Sequence, residues 1–151
     1  MFFLRRLALH RVGLPERRFN NLVFDFVDPV TGAPTNTVLW AENGSGKTSL
    51  LRLCFSVLQP EKREYLGRDN RILALHNYVQ ARDTAHVVLE WERVRDGRHH
   101  RIVTGLIMEW LDLTPGDSDE QLTKVWYSFS SVRDALTFDM LPITCEVERT
   151  V

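Results

Sequence analysis

The chain has 151 residues, about one domain's worth of protein, of which 44% are hydrophobic and 26% charged. That is ordinary globular composition and argues against intrinsic disorder. Nineteen basic residues against twenty acidic ones give a formal net charge of −1, which excludes a general polyelectrolyte grip on nucleic acid and leaves any such contact to a local patch. Apolar runs reach about five residues, far short of the roughly 20 needed to cross a bilayer, so no membrane association is expected. The opening Met1-Phe2-Phe3-Leu4-Arg5-Arg6 puts apolar residues ahead of its charges and offers no small-residue cleavage site, unlike a secretory signal. Cys54 and Cys145 have no CxxC spacing, and two isolated thiols fit a reducing cytoplasm.

Phe3 to Val12 reads as a first strand closed by Pro15, and Phe19 to Val27 alternates apolar and polar residues as a half-buried strand does. Asp28 to Pro34 is a turn by its proline and glycine content. Thr37 to Ala41 is a short apolar run, long enough for a buried strand and too short for a helix. From Lys47 to Leu58 a helical stripe runs through Leu50, Leu51, Cys54, Val57 and Leu58, with Pro60 stopping it. Residues 61–71 are charged and read as a solvated connection. Ala85 to Val94 and Arg98 to Trp110 flank Asp96-Gly97, the strongest short hairpin signal. A two-residue loop pairs Trp91 with Ile102, Glu92 with Arg101 and Val87 with Leu106, leaving one face apolar. Thr114 to Glu120 reads as a turn-rich loop, and Lys124 to Phe129 and Leu136 to Val147 as further strand-like pieces. Trp40, Trp91, Trp110 and Trp126 all fall in strand-like runs and are expected in the core.

One segment carries chemistry. Ala41-Glu42-Asn43-Gly44-Ser45-Gly46-Lys47-Thr48 departs from the phosphate-binding pattern G-x-x-x-x-G-K-[ST] only at Ala41, and it stands between an apolar strand and an amphipathic helix. Gly44 and Gly46 let the backbone curl so that successive N–H groups point at phosphate oxygens. The helix N-terminus adds its dipole and free N–H groups. Lys47 is the expected catalytic cation, reaching the β- and γ-phosphates, and the Thr48 hydroxyl is the expected Mg²⁺ ligand. Glu42, Asn43, Gly44, Ser45, Gly46, Lys47, Thr48 and Ser49 make up the expected nucleotide-binding set, with ATP and Mg²⁺ as ligands. Hydrolysis also needs a carboxylate at the end of a downstream strand. Asp25, Glu90 and Asp139 are the candidates, and each reads as an exposed strand acid. No Leu-Ser-Gly-Gly-Gln-like stretch is present.

These residues resemble the amino-terminal half of an ABC-type ATPase head, as in SMC, RecF-type and double-strand-break-repair ATPases. The likeness rests on Asn43 to Thr48 after two amino-terminal strands and an apolar strand, and on Ala81-Arg82-Asp83-Thr84-Ala85 leading into Val87 to Glu92 and a returning strand ending Arg101-Ile102-Val103. It covers most of residues 1–110, and His10-Arg11-Val12-Gly13 stands where that family often has Asn-Phe-Arg. The resemblance implies an α/β P-loop NTPase fold spanning residues 1–151, with a P-loop core over about 1–80 and an antiparallel β-lobe over about 85–151 on a mixed sheet. It implies ATP held between two heads, hydrolysis only when a carboxyl-terminal half or second head supplies the signature and acidic motifs, and work on DNA in repair, chromosome organisation or defence. A complete small P-loop kinase with Arg63, Arg68 and Arg71 on its lid, a fragment of an ABC transporter subunit, and a module using nucleotide as a structural ligand remain alternatives. The arginines and histidines at 93–101 read either as a DNA-backbone patch or as a charged edge that resists aggregation.

Overall fold

A computed structural model describes residues 2–58, 74–111, 115, 119–130, 136–141 and 143. The hairpin expected around Asp96-Gly97 forms its centre. Strands β5 (Ala85–Arg95) and β6 (Arg98–Trp110) pair with Trp91 opposite Ile102, Glu92 opposite Arg101 and Val87 opposite Leu106. Asp96 and Gly97 both take positive φ, 52° and 71°, as a turn matching the right-handed twist of its strands requires. β1 (Phe2–His10) pairs antiparallel with β5, β4 (Leu22–Asp25) pairs with β1, and β7 (Leu122–Ser130) pairs with β6. The sheet order is β4-β1-β5-β6-β7, and every pairing in it is antiparallel. The sheet thus joins strands from both sides of the boundary expected near residues 80–85. A separate small hairpin holds β2 (Val12–Leu14) and β3 (Arg17–Phe19).

One face of the sheet carries the main core. Leu7, Leu9, Val87, Leu89, Leu106 and Met108 pack there against Leu50, Leu53 and Val57 of helix α1 (Lys47–Leu58). Indole hydrogen bonds lock the layers: Trp126 Nε1 donates to Ser56 O at 2.9 Å and Trp110 Nε1 to Val79 O at 3.0 Å. The opposite face is apolar at one end, where Ala8, Val88 and Val103 meet Phe138, and ionic at the other. A β-bulge between Leu4 and Arg6 brings two consecutive arginines to the same carboxylates. Arg6 Nε donates to Glu90 Oε2 at 2.6 Å, and Arg5 Nη1 donates to Glu92 Oε2 at 2.5 Å and to Gly32 O at 2.8 Å. Arg6 also pairs with Asp139. Burial pulls the Arg6 guanidinium down, and the bonds to Glu90 and Asp139 more than offset this, holding it above its ordinary value.

Several expected features differ. Thr37 to Ala41 forms no strand: Val38 is 89% exposed and Trp40 87%, because no described strand lies beside it to take its backbone hydrogen bonds. Trp40 is therefore outside the core, whereas Trp110 is buried and Trp91 packs against it. Glu90 is 1% exposed instead of facing solvent, since Arg5 and Arg6 make its face habitable for a charge. Phe3 to Val12 divides at Arg11, which has φ of 49°, and the second strand shortens to Leu22–Asp25. In α1 the buried side is Leu50, Leu53 and Val57, while Leu51, Phe55 and Leu58 are exposed. Phe138–Met140 is a single 3₁₀ turn where a strand was expected. Pro60, residues 61–71 and most of 141–151 lie outside the described residues.

Candidate functional site, a glycine loop facing a hairpin

The loop expected from sequence sits at the start of α1. Gly44 and Gly46 have φ of +81° and +92°, values that only glycine takes cheaply. Ser45 N donates to Glu42 O at 3.2 Å, which closes the loop, and Leu50 N donates to Gly46 O at 2.8 Å, which begins the helix. The N–H groups of Gly46, Lys47, Thr48 and Ser49 consequently have no acceptor within the helix. No acidic residue occupies its first turn, so the positive end of the dipole is uncompensated by the helix itself.

Lys47 folds back over the loop. Its Nζ donates to the carbonyl oxygens of Ala41 and Glu42, the latter at 2.7 Å. The ammonium thereby stands at the mouth of the curl, held by weak neutral acceptors that an anion would displace. Ser49 Oγ accepts from the hydroxyl of buried Tyr78 at 3.3 Å, which turns that residue toward the protein. Thr48 is exposed. Among the described residues no group of three His, Cys, Asp or Glu side chains is arranged to hold a metal ion. Mg²⁺ would therefore depend on the Thr48 hydroxyl and on phosphate oxygens, the donor set suited to this hard cation.

The second wall of the site was not anticipated. A cleft of about 650 Å³ lies between the loop and the β2–β3 hairpin, lined by Leu14, Pro15, Glu16, Arg17 and Phe19 opposite Asn43, Gly44 and Gly46 to Ser49. This volume falls within the usual range for small-molecule sites. A Cβ placed on Gly44 would come within 3.1 Å of Arg17 Nη1, and one on Gly46 within 3.5 Å of the Phe19 ring. Arg17 thus overhangs the loop, while Leu14, Pro15 and Phe19 provide an apolar surface. Arg18 anchors the hairpin from behind: its Nη1 reaches Asp83 Oδ2 at 2.6 Å and Gln80, and its Nη2 donates to Arg11 O at 2.7 Å. Arg11 itself lies 3.6 Å from Asp83. Pro15-Glu16 between two short β-tolerant triplets was the available signal, masked because Pro15 also marks the end of the first strand.

The three candidate acids do not line this cleft. Asp25 is exposed on β4, Glu90 is spent on Arg5 and Arg6, and Asp139 is spent on Arg6. Ala41 lies in the extended approach to the loop, where a methyl group replaces the hydrogen of the usual glycine. No protein-family model matches the chain, and no curated protein matches it.

Proposed function

We propose that this chain is the ATP-binding amino-terminal half-head of an SMC- or RecF-like ATPase working on DNA. The observation that carries the reading is the loop Glu42 to Ser49: two glycines at positive φ, a helix start with free N–H groups, and a lysine ammonium resting on loop carbonyls. Asn43 to Gly46 would cradle the phosphates with backbone N–H groups, and Lys47 would set its charge against the terminal phosphates. Thr48 would hold Mg²⁺, which supplies charge neutralisation on the phosphate oxygens. Leu14, Pro15 and Phe19 would receive the apolar part of the nucleotide.

Two surfaces support a partner that completes the head. Thr37 to Ala41 is apolar and exposed, with no neighbouring strand among the described residues, and Leu51 and Leu58 are exposed on α1 at i and i+7. Such a partner, a carboxyl-terminal half or a second head, would also bring the signature and acidic motifs of the head. A cytoplasmic setting belongs to the same reading. Among the described residues no helix is long and apolar enough to cross a membrane.

Titration of the chain with Mg·ATP by calorimetry tests the proposal. Binding is expected, with hydrolysis close to background, and Lys47→Ala should weaken binding at least tenfold. Equal affinity in the variant would end the nucleotide reading, and rapid turnover by the isolated chain would end the half-head reading.

A further inference from the structure

The opposite end of the sheet has a charge arrangement that nucleotide binding does not use. Residues 93–101 contain four arginines against one aspartate, a formal +3 in a chain that totals −1. Strand alternation sorts these charges by face. Glu92 faces the ionic side and is buried, held by Arg5 at 2.5 Å and by His99 Nδ1 at 2.9 Å. Arg93 and Arg95 fall on the other face, with Arg98 opposite Arg95 and His100 opposite Arg93. That face is left without a carboxylate from its own strands. Among the described residues the turn residue Asp96 lies 3.5 Å from Arg95, and both are largely exposed, so this pair contributes little.

An aromatic ring stands beside these cations. Phe2 pairs with Arg93 across β1 and β5, is 53% exposed, and lies under the Arg93 guanidinium at 5.3 Å. Among the described residues β1 begins opposite Arg93 and β7 ends opposite Ile102. Among the described residues the rows Val94–His99 and Arg95–Arg98 have no strand paired beside them. β1 separates this end of the sheet, at Phe2, from the β2–β3 hairpin that follows its far end.

We infer that this face binds single-stranded nucleic acid, with phosphates on Arg93, Arg95 and Arg98 and an unpaired base stacked on Phe2. Arginines aligned along a ribbon match a phosphodiester backbone, and an exposed ring sharing its face with a guanidinium is what an unstacked base recognises. A duplex keeps its bases paired and gives Phe2 nothing to stack against. An acidic protein segment would match the arginines and leave the ring unused.

The test is fluorescence anisotropy of a labelled 15-mer of thymidylate with the whole chain over a series of salt concentrations. Arg95→Ala with Arg98→Ala should weaken binding and flatten the log–log salt dependence by about 1.4, two phosphate contacts at roughly 0.7 each. Phe2→Ala should weaken binding about tenfold with an unchanged slope, and Phe2→Trp should restore it. Circular dichroism melts check that each variant is folded, and Mg·ATP binding should be unaltered in all of them. Wild-type oligonucleotide affinity in the arginine variant overturns the proposal. So does a Phe2→Ala variant that binds normally, whether a matched duplex or polyglutamate then competes as well as the single strand.

Discussion

The β5–β6 hairpin and the segment Thr37 to Thr48 start from similar material and end differently. Both contain β-branched and aromatic residues in short runs, yet one is a ladder paired over eleven rows, and in the other Thr37 to Ala41 forms no strand and leaves Trp40 in solvent. The hairpin carries its own partner two residues away, so its N–H and C=O groups are satisfied as soon as it folds. Thr37 to Ala41 has no such neighbour among the described residues. Strand propensity expresses fit to a pleated, half-buried surface, and without that surface it produces nothing regular.

The largest expected loss comes from breaking the sheet at its buried charges. Glu90→Ala removes the buried carboxylate that Arg5 and Arg6 share, leaving Arg5 with Glu92 and Arg6 with the exposed Asp139, and should cost about 3 kcal/mol in urea unfolding. Next is the contact between β6 and β7. A Cβ on Gly105 would lie 2.2 Å from the Tyr127 ring, so Gly105→Ala should cost about 1–3 kcal/mol. Adding Tyr127→Ala should make the pair clearly non-additive, measurable in a double-mutant cycle.

Alkaline pH should weaken the same packed layers more gently. Burial pushes the Cys54 thiol up to about 11 and the Tyr127 hydroxyl up to about 12. Both groups stay protonated in the fold after the unfolded chain has begun to ionise, so above about pH 9 the unfolded state binds fewer protons. Stability should therefore fall as pH rises from about 9 toward 12. In a Cys145→Ser background, Cys54 should react with a disulfide reagent about a hundredfold more slowly than a free thiol at pH 8. The smallest effect sharpens the other side of the comparison. Trp40→Ser should change the stability of the isolated chain by no more than about 0.5 kcal/mol. A loss above about 2 kcal/mol would mean that the segment is already packed.

Local signals in the sequence went furthest where the partner was also local. Asp96-Gly97 predicted a register that holds at Trp91, Glu92 and Val87, and the apolar spacing after Lys47 predicted a helix with the bounds it has. The glycine spacing located a curl in which Gly44 and Gly46 both take positive φ. Features depending on distant neighbours were hidden. Glu90 looked solvent-facing because its alternation was read without the bulge that delivers Arg5 and Arg6 from more than 80 residues away. Leu51 and Leu58 belonged to a stripe by spacing alone, but the sheet takes Leu53 instead. Arg17 gained its place over Gly44 only through a hairpin closed by Pro15-Glu16.

The middle position of β1 also bears on the order of events during synthesis. It lies between β4, 12 or more residues later, and β5, some 75 residues further along the chain. On a ribosome α1 is synthesised before the β5–β6 hairpin it packs on. Until residues near 110 emerge, the growing chain must keep Leu7, Leu9, Leu50 and Leu53 apart from other nascent chains. Such a chain has high contact order and should fold slowly for its size. A ribosome stalled before β6 is complete should therefore display a polypeptide that chaperones recognise.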